Sequence, residues 1–244
     1  LSDHTTQKCL VSLMYVNNEI GNLLPIELVA GICKKYQALF HSDTVQGIGH
    51  YAIDLNKISV DFIAASAHKF HGPKGVGFAY FKKGFGIQPI FHGGNQEKGA
   101  RSSTENVHSI LGMEKALDIA IQNIDKDTHQ ITTLKAHFIS ELKNHFPEIQ
   151  FNGNSDELLS SSYTILNVRF AKASDMLLFT LDLNGIAVSG GSACQSGSSK
   201  GSHVLDEILP TLEAEKTSIR FSFSKNTTKE EIDLTISKLK DLIN

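Results

Sequence analysis

Short apolar segments alternate with a helical segment and with loops over the first 81 residues, and this alternation constrains the fold more than any other feature of the chain. Residues 11–16 and 39–43 are predicted strands on either side of an amphipathic helix at 26–39. Two further predicted strands follow at 60–65 and 77–81. Such a pattern predicts an α/β fold with a mainly parallel sheet flanked by helices, in which ligands bind where the strands end.

The second half of the chain has a different pattern. Two long helices are predicted at about 105–123 and 128–146, after a glycine-rich loop. The later segments are predicted as strand, helix, strand and helix, at 163–168, 174–183, 218–223 and 228–242. We therefore expect residues 1–120 to be part of a large domain and residues 121–244 to form a smaller α+β domain.

Composition excludes several classes of function. The net charge of −3 over 244 residues gives no electrostatic reason to expect nucleic acid or an anionic membrane as a partner. No apolar run is long enough to span a bilayer. Three cysteines without close pairs argue against a disulfide framework or a four-cysteine metal site, and the scattered histidines give no metal site either. Without an export signal, the cytoplasm is the expected location.

Lys69 lies just after a predicted strand, where an α/β sheet places its active-site loops. The neighbouring His68, His71 and Lys74 would disfavour its charged form, and a neutral amine is what Schiff-base chemistry requires. A solvated surface lysine is the commoner role for any single lysine, and this observation alone leaves that alternative open.

Asp43 ends the preceding predicted strand, so its loop and that of Lys69 can open on one edge of the sheet. An aspartate beside the ring nitrogen of pyridoxal phosphate keeps that nitrogen protonated, which the cofactor needs to act as an electron sink. A helix cap or a turn residue is the alternative role for an aspartate after a strand.

Cys194 lies in the serine- and glycine-rich stretch 189–202. An isolated cysteine is most often a small buried apolar residue. In a polar, glycine-rich loop, however, we expect an exposed thiol that can move toward a bound substrate and react as a thiolate. Cys9 and Cys33 have apolar or helical neighbours, and we expect both in the core.

Six motifs along the chain resemble the successive motifs of the cysteine desulfurases, which are class-V aminotransferases of pyridoxal-phosphate fold type I. In chain order they are VNNEIG at 16–21, HSDTVQ at 41–46, SAHK at 66–69, HGG at 92–94, RSST at 101–104 and SGGSAC at 189–194. The short form of the last motif resembles the housekeeping branch that serves iron–sulfur cluster assembly.

The resemblance implies a role for each matching residue. Lys69 corresponds to the lysine that binds pyridoxal phosphate and moves the α-proton of the substrate, and Cys194 corresponds to the thiol that accepts sulfur. The other implied cofactor-binding residues are Asn18, Asp43 at the pyridine nitrogen, Gln46 at the phenolic oxygen, and Ser66, His68 and Thr104 at the phosphate.

Asn18 and Arg220 correspond to the pair that orients the substrate, and a guanidinium suits bidentate capture of an α-carboxylate. An exposed strand residue is the alternative role for Arg220, which lies in a serine- and phenylalanine-containing strand. Thr104 corresponds to a phosphate ligand that the neighbouring subunit supplies, so the resemblance also implies a homodimer with shared sites.

The implied reaction removes sulfur from L-cysteine, releases L-alanine and leaves a persulfide on Cys194 for a sulfur-acceptor or iron–sulfur scaffold protein. A related pyridoxal-phosphate lyase or aminotransferase is one alternative, which the presence of Cys194 disfavours. The other is a fragment without pyridoxal phosphate, or a partner-binding remnant, inactive without an N-terminal segment. Chains of the family begin earlier than Leu1, so we expect the chain to lack their Gly-Thr phosphate anchor and ring-stacking histidine.

Overall fold

The computed structural model describes residues 8–171, 176–190 and 201–243. The chain divides into two compact units. Unit 1 contains the described residues up to Tyr15 together with Leu24–Ile124, and unit 2 contains Val16–Leu23 together with the described residues from Asp125 onward.

Unit 1 contains a four-stranded sheet. Its strands are β1 (Leu10–Met14), β2 (Leu39–Asp43), β3 (Phe62–Ser66) and β4 (Gly77–Phe81), in that order across the sheet. The pairs β1–β2 and β2–β3 are parallel, whereas β3–β4 is antiparallel. The predicted strands at 39–43 and 77–81 are confirmed at those residues, and the mainly parallel α/β arrangement is confirmed as well.

The core of unit 1 lies between one face of this sheet and helix α1 (Ile26–Lys35), which follows Pro25. The helix buries residues at positions i, i+4 and i+7, and the alternating buried residues of β2 and β3 meet them, so that each element contributes one apolar stripe. Cys33 is 2% exposed in this cluster, which confirms its expected core position. Burial raises the pKa of the Cys33 thiol, with a smaller contribution from the nearby Asp61 carboxylate.

Helix α2 (Val107–His145) is continuous, and the prediction of two separate helices was wrong. The predicted break fell at residues 124–127, a mainly charged stretch with neither proline nor glycine. Charged side chains on an exposed helix face do not interrupt the backbone hydrogen bonds, so the helix continues through them.

Unit 2 contains a second sheet of β5 (Gln150–Phe151), β6 (Ile165–Phe170) and β7 (Thr217–Ser222), with β6 in the middle and both pairings antiparallel. All six residues of β6 are buried. The remaining helices of unit 2 are α3 (Leu177–Leu183), α4 (His203–Ile208), α5 (Thr211–Ala214) and α6 (Lys229–Ile243).

Unit 2 also buries a connected set of polar side chains. The Nζ of Lys135, which is 0% exposed, donates to Ser161 Oγ at 2.9 Å and to the carbonyl of Ser162 at 2.8 Å. Asn152 Nδ2 donates to Asn167 Oδ1 at 2.8 Å. Burial lowers the pKa of Lys135 to about 8, because desolvation disfavours the ammonium form.

The 16–23 segment belongs to unit 2, although the sequence analysis assigned it to the first domain together with the rest of residues 1–120. Its carbonyl groups accept hydrogen bonds from unit 2: Asn167 Nδ2 donates to the carbonyl of Glu19 at 3.0 Å, and the Ser162 N–H donates to that of Gly21 at 2.7 Å. These bonds over more than a hundred residues explain why local sequence patterns did not assign the segment.

Within the described ranges, no helix combines the length and the apolar character needed to cross a membrane. The same residues contain no cluster of three or more histidine, cysteine, aspartate or glutamate side chains suited to a metal ion.

Candidate active site

Five of the expected cofactor-binding residues lie at or just beyond the carboxyl ends of β2 and β3. Asp43 is the last residue of β2 and pairs with Ala64, and Ser66 is the last residue of β3. Paired residues share a face of the sheet and side chains alternate along a strand, so Asp43, Ala64 and Ser66 share one face. We call this the sheet-edge cluster, and its members are Asp43, Gln46, Ser66, His68 and Lys69.

A single 3-10 turn, Ala67–Phe70, follows β3 directly and carries Lys69. Ala67 and Phe70 are buried and anchor the turn, whereas Lys69 is half-buried and His68 is exposed. His50 Nε2 donates to the carbonyl oxygen of Lys69 at 3.0 Å, which fixes the backbone at this position. The turn therefore places the amine of Lys69 at the edge of the sheet on a well-held backbone.

Gly49 allows the loop after β2 to lie against the turn that carries Lys69. Its φ of +82° is a left-handed conformation, and a Cβ at this position would lie 2.5 Å from Phe70 Cβ. A larger residue would therefore push His50 away from its hydrogen bond to Lys69.

Local hydrogen bonds orient the carboxylate of Asp43. Its Oδ1 accepts from the Val45 N–H at 2.9 Å, and Thr44 Oγ1 donates to the carbonyl of Ala64 at 2.7 Å. The second bond ties the start of the loop to β3. Gln46 lies half-buried in the same loop, so its amide and the Asp43 carboxylate belong to one short segment.

The sheet-edge cluster fits pyridoxal phosphate by the chemistry of its side chains. A carboxylate can accept from a protonated ring nitrogen, an amide can donate to a phenolic oxygen, and a hydroxyl and an imidazole can donate to a phosphate. The half-buried amine of Lys69 completes the set. These are the residues Asp43, Gln46, Ser66, His68 and Lys69 that the resemblance specified, and register and chain continuity place them at one sheet edge.

Thr104 occupies a different place in unit 1. It lines an open groove of about 640 Å³ whose walls include His92 and Arg101 but neither Asp43 nor Lys69.

The two residues expected to orient the substrate are in direct contact in unit 2. Arg220, on β7, donates from Nη1 to the backbone carbonyl of Asn18 at 2.8 Å and from Nη2 to Ser189 Oγ at 3.3 Å. Ser189 and Arg220 also exchange two backbone hydrogen bonds, of 3.2 and 2.7 Å. The half-buried guanidinium is therefore held in one orientation, which suits it to bind a carboxylate.

Cys194 lies outside the described residues, so its expected position at the site stays a prediction. The chain is described on both sides of it, up to Gly190 and again from Gly201.

Glu19 is a member of this region to which the sequence analysis gave no role. Its side chain is 0% exposed, its Oε2 accepts from Ser202 Oγ, and its Oε1 lies 3.9 Å from His203 Nδ1. Glu19 lies inside the VNNEIG motif, but its hydrogen-bond partner Ser202 follows it by 183 residues. A serine just before a short helix is a recognisable cap signal, whereas its pairing with Glu19 has no local signal.

The sequence profile of the class-V aminotransferases matches residues 2–235. The chain therefore belongs to the class-V aminotransferase family. It is similar to the cysteine desulfurase IscS of Dictyoglomus turgidum, with 42% identity over 235 residues that cover 96% of this chain and 59% of the relative.

Solved structures show the same fold. A NifS-like protein from Rickettsia africae matches 98% of this chain and 64% of its own with a TM-score of 0.85 and 31% identity. SspA, solved in complex with cysteine, matches 90% of this chain and 60% of its own with a TM-score of 0.69 and 29% identity. The expected family and the fold type I architecture of pyridoxal-phosphate enzymes are confirmed, and the chain spans about 60% of the length of these relatives.

Proposed function

We propose that the protein is a pyridoxal-phosphate-dependent cysteine desulfurase, which takes sulfur from L-cysteine, releases L-alanine and leaves a persulfide on Cys194. The observation that carries the proposal is the sheet-edge cluster, in which Asp43 ends β2 and Lys69 lies in the turn after the adjacent parallel strand β3. The similarity to cysteine desulfurases supports the choice of reaction within the class-V family.

Pyridoxal phosphate, when bound, supplies an electron sink for the carbon atom that loses its proton. Asp43 would hold the protonated ring nitrogen and Gln46 the phenolic oxygen, while Ser66 and His68 would bind the phosphate. Lys69 supplies the amine that attaches the cofactor. The same amine takes the α-proton of the substrate as a general base and returns a proton as a general acid.

Arg220 binds the α-carboxylate of L-cysteine, and Asn18 contributes to substrate and cofactor binding beside it. The fixed guanidinium supports this role, because a carboxylate can accept two parallel hydrogen bonds from one edge of an arginine side chain. The Cys194 thiolate then attacks the sulfur of the substrate. A sulfur–sulfur bond forms as the carbon–sulfur bond breaks, and the carbon fragment takes up protons and leaves as alanine.

We also propose a homodimer in which Thr104 serves the site of the neighbouring subunit. The groove that Thr104 lines contains neither Asp43 nor Lys69, and this supports a role outside the sheet-edge cluster of its own chain. The persulfide is passed to a sulfur-acceptor or iron–sulfur scaffold protein, and a cytoplasmic location fits the reduced thiol of the buried Cys33.

The first experiment is the visible absorption spectrum after addition of pyridoxal phosphate, for the wild type, Lys69→Ala and Lys83→Ala. Lys83 is an exposed lysine of the same unit, outside the sheet-edge cluster, and provides the matched control. We expect an absorption band that L-cysteine shifts or bleaches in the wild type and in Lys83→Ala, and no such band in Lys69→Ala.

A band that persists in Lys69→Ala would contradict the assignment of Lys69. A wild-type chain without any band would support the alternative of a fragment or partner-binding remnant that does not bind the cofactor. A band with no response to L-cysteine would favour a related lyase or aminotransferase. Peptide mass analysis after reaction with L-cysteine then tests for one added sulfur atom on Cys194, with Cys194→Ser as the control.

A further inference from the structure

The carboxylate of Glu19 is buried, and few neighbouring groups compensate for the hydration that it loses. Its side chain is 0% exposed, and its Oε1 has no hydrogen-bond partner among the described residues. The nearby basic group, His203 Nδ1, lies 3.9 Å away on a side chain that is 70% exposed. Leaving a buried carboxylate so poorly paired costs free energy, so the position of Glu19 calls for a functional explanation.

Ser202 connects Glu19 to the start of α4. The Ser202 hydroxyl donates to Glu19 Oε2 and accepts from the Leu205 N–H at 3.1 Å, so it caps the helix while it is held by the carboxylate. Because Glu19 can only accept, it fixes the direction of the hydroxyl proton and leaves the oxygen lone pairs to Leu205. Leu205 is 3% exposed and anchors this turn in the core of unit 2.

Asn18, the residue before Glu19, is linked through Arg220 to Ser189, which lies on the amino-terminal side of segment 191–200. Arg220 bonds both the carbonyl of Asn18 and the side chain of Ser189, and Ser189 precedes segment 191–200 just as Ser202 follows it. Consecutive residues of the 16–23 segment therefore hold the chain on each side of the segment that contains Cys194.

Hydrogen bonds also fix the backbone of the 16–23 segment that carries Glu19. Asn17 Oδ1 accepts from the N–H groups of Glu19 and Ile20 at 2.9 and 3.0 Å, and Asn167 Nδ2 donates to the carbonyl of Glu19 at 3.0 Å. The backbone of Glu19 is thus fixed on both sides, and its carboxylate has a defined place.

We propose that Glu19 is a positioning residue for sulfur transfer: its carboxylate holds Ser202, and so fixes the carboxyl-terminal end of the segment from which Cys194 reaches the substrate. The role of Cys194 in this inference rests on the proposed function. The hydrogen bond between Ser202 and Glu19 does not depend on that function. Glu19 contacts neither substrate nor cofactor in this proposal and acts only through Ser202.

The test compares Glu19→Ala, Glu19→Gln and Ser202→Ala in the complete, cofactor-loaded protein, with Glu207→Ala as the control. Glu207 is an exposed carboxylate on the same helix α4. The first measurement is independent of activity: the rate of tryptic cleavage between Lys200 and Gly201, with amide exchange at Leu205. We expect about tenfold faster cleavage and exchange in Glu19→Ala and Ser202→Ala, corresponding to one lost charge-assisted hydrogen bond.

Glu19→Gln keeps an oxygen that can accept from Ser202, so we expect it to restore most of the protection, and Glu207→Ala should match the wild type. The second measurement is single-turnover persulfide formation on Cys194. We expect its maximal rate constant to fall about tenfold in Glu19→Ala, while the L-cysteine concentration that gives half of the maximal rate stays within about twofold, because substrate binding is untouched.

Unchanged cleavage and exchange in both Glu19→Ala and Ser202→Ala would overturn the inference. Faster cleavage with an unchanged rate of persulfide formation would overturn the positioning role. A wild-type protein that puts no sulfur on Cys194 would instead overturn the proposed function, and the cleavage and exchange rates would still decide whether Glu19 holds Ser202. If Glu19→Ala does not fold, Ser202→Ala removes the same hydrogen bond and gives the same decision.

Discussion

Unit 1 and unit 2 hold their functional residues by different means. In unit 1 an apolar cluster between α1 and the sheet supports β2 and β3, and Asp43 is the last residue of β2 while Lys69 lies in the turn after β3. In unit 2 the contact of Asn18 with Arg220 depends on the 16–23 segment, which buried polar side chains such as Asn167 hold in place.

The difference shows two ways of fixing an active-site residue. Where a strand ends, backbone pairing alone sets the position, and the core behind it needs only apolar side chains. Where a loop must be held against a distant strand, its backbone N–H and carbonyl groups need specific hydrogen-bond partners. Each buried partner must in turn form its own hydrogen bonds. Unit 1 also buries a carboxylate: Asp61 Oδ2 accepts from the Phe40 N–H at 2.9 Å, so the two units differ only in degree.

The largest expected effect is that of Phe40→Ala in unit 1. Phe40 is 0% exposed in the apolar cluster, and its truncation leaves a cavity, so we expect a loss of about 3–5 kcal/mol in the free energy of unfolding. The loss should be the same at pH 7 and pH 9, measured by urea denaturation. Leu28→Ala on the exposed side of α1 is the control, with an expected change within about 0.5 kcal/mol. A loss below roughly 1 kcal/mol for Phe40→Ala would contradict the dependence of unit 1 on this cluster.

Asn167→Leu in unit 2 should have the next largest effect. The substitution leaves the carbonyl of Glu19 and the side chain of Asn152 without the hydrogen bonds that Asn167 provides. We expect a loss of about 2–4 kcal/mol, together with faster amide exchange in the 16–23 segment. Asn226→Leu, at an exposed position of the same unit, serves as the control. If Asn167→Leu were as stable as the wild type, the polar network would not be what holds the segment.

The smallest expected effect is a pH dependence that Lys135 gives to unit 2. Its pKa is about 8 in the folded chain and near 10.5 when unfolded, so between these values the unfolded state binds more protons. Stability should therefore rise from pH 8 toward pH 10.5, by on the order of 1 kcal/mol per pH unit, and be lost as the pH falls through 8. The measurement is the difference between wild type and Lys135→Met in urea denaturation from pH 7 to pH 10. Parallel curves for the two proteins would rule out Lys135 as the source.

The placement of Asp43 and Lys69 at one edge of the sheet could be predicted from the sequence because the relevant information is local. Alternating apolar segments locate β2 and β3, and parallel strands bring their carboxyl ends to one edge, which places Asp43 and Lys69 together. The continuous helix α2 was missed because a charged stretch without proline or glycine resembles a loop in composition while remaining compatible with a helix.

The arrangement of unit 2 could not be predicted in the same way. The hydrogen bond from Ser202 to Glu19 joins residues 183 positions apart, and no local sequence pattern around either residue indicates the other. The same holds for Lys135 and Ser161, because a lysine on a long helix ordinarily extends into solvent. Contacts of this kind arise from how the elements pack, so they appear only when the fold is known.

The 16–23 segment has a consequence for the order in which the chain can fold as it is made. All four strands of unit 1 have been synthesised by residue 81, whereas Glu19 must wait for Asn167, which follows it by 148 residues. At a synthesis rate of about 5–20 residues per second, that delay is roughly 7–30 s. During that interval the backbone carbonyl of Glu19 lacks the hydrogen bond from Asn167, so a chain cut before residue 160 keeps the residues of β1–β4 but leaves the 16–23 segment without this partner.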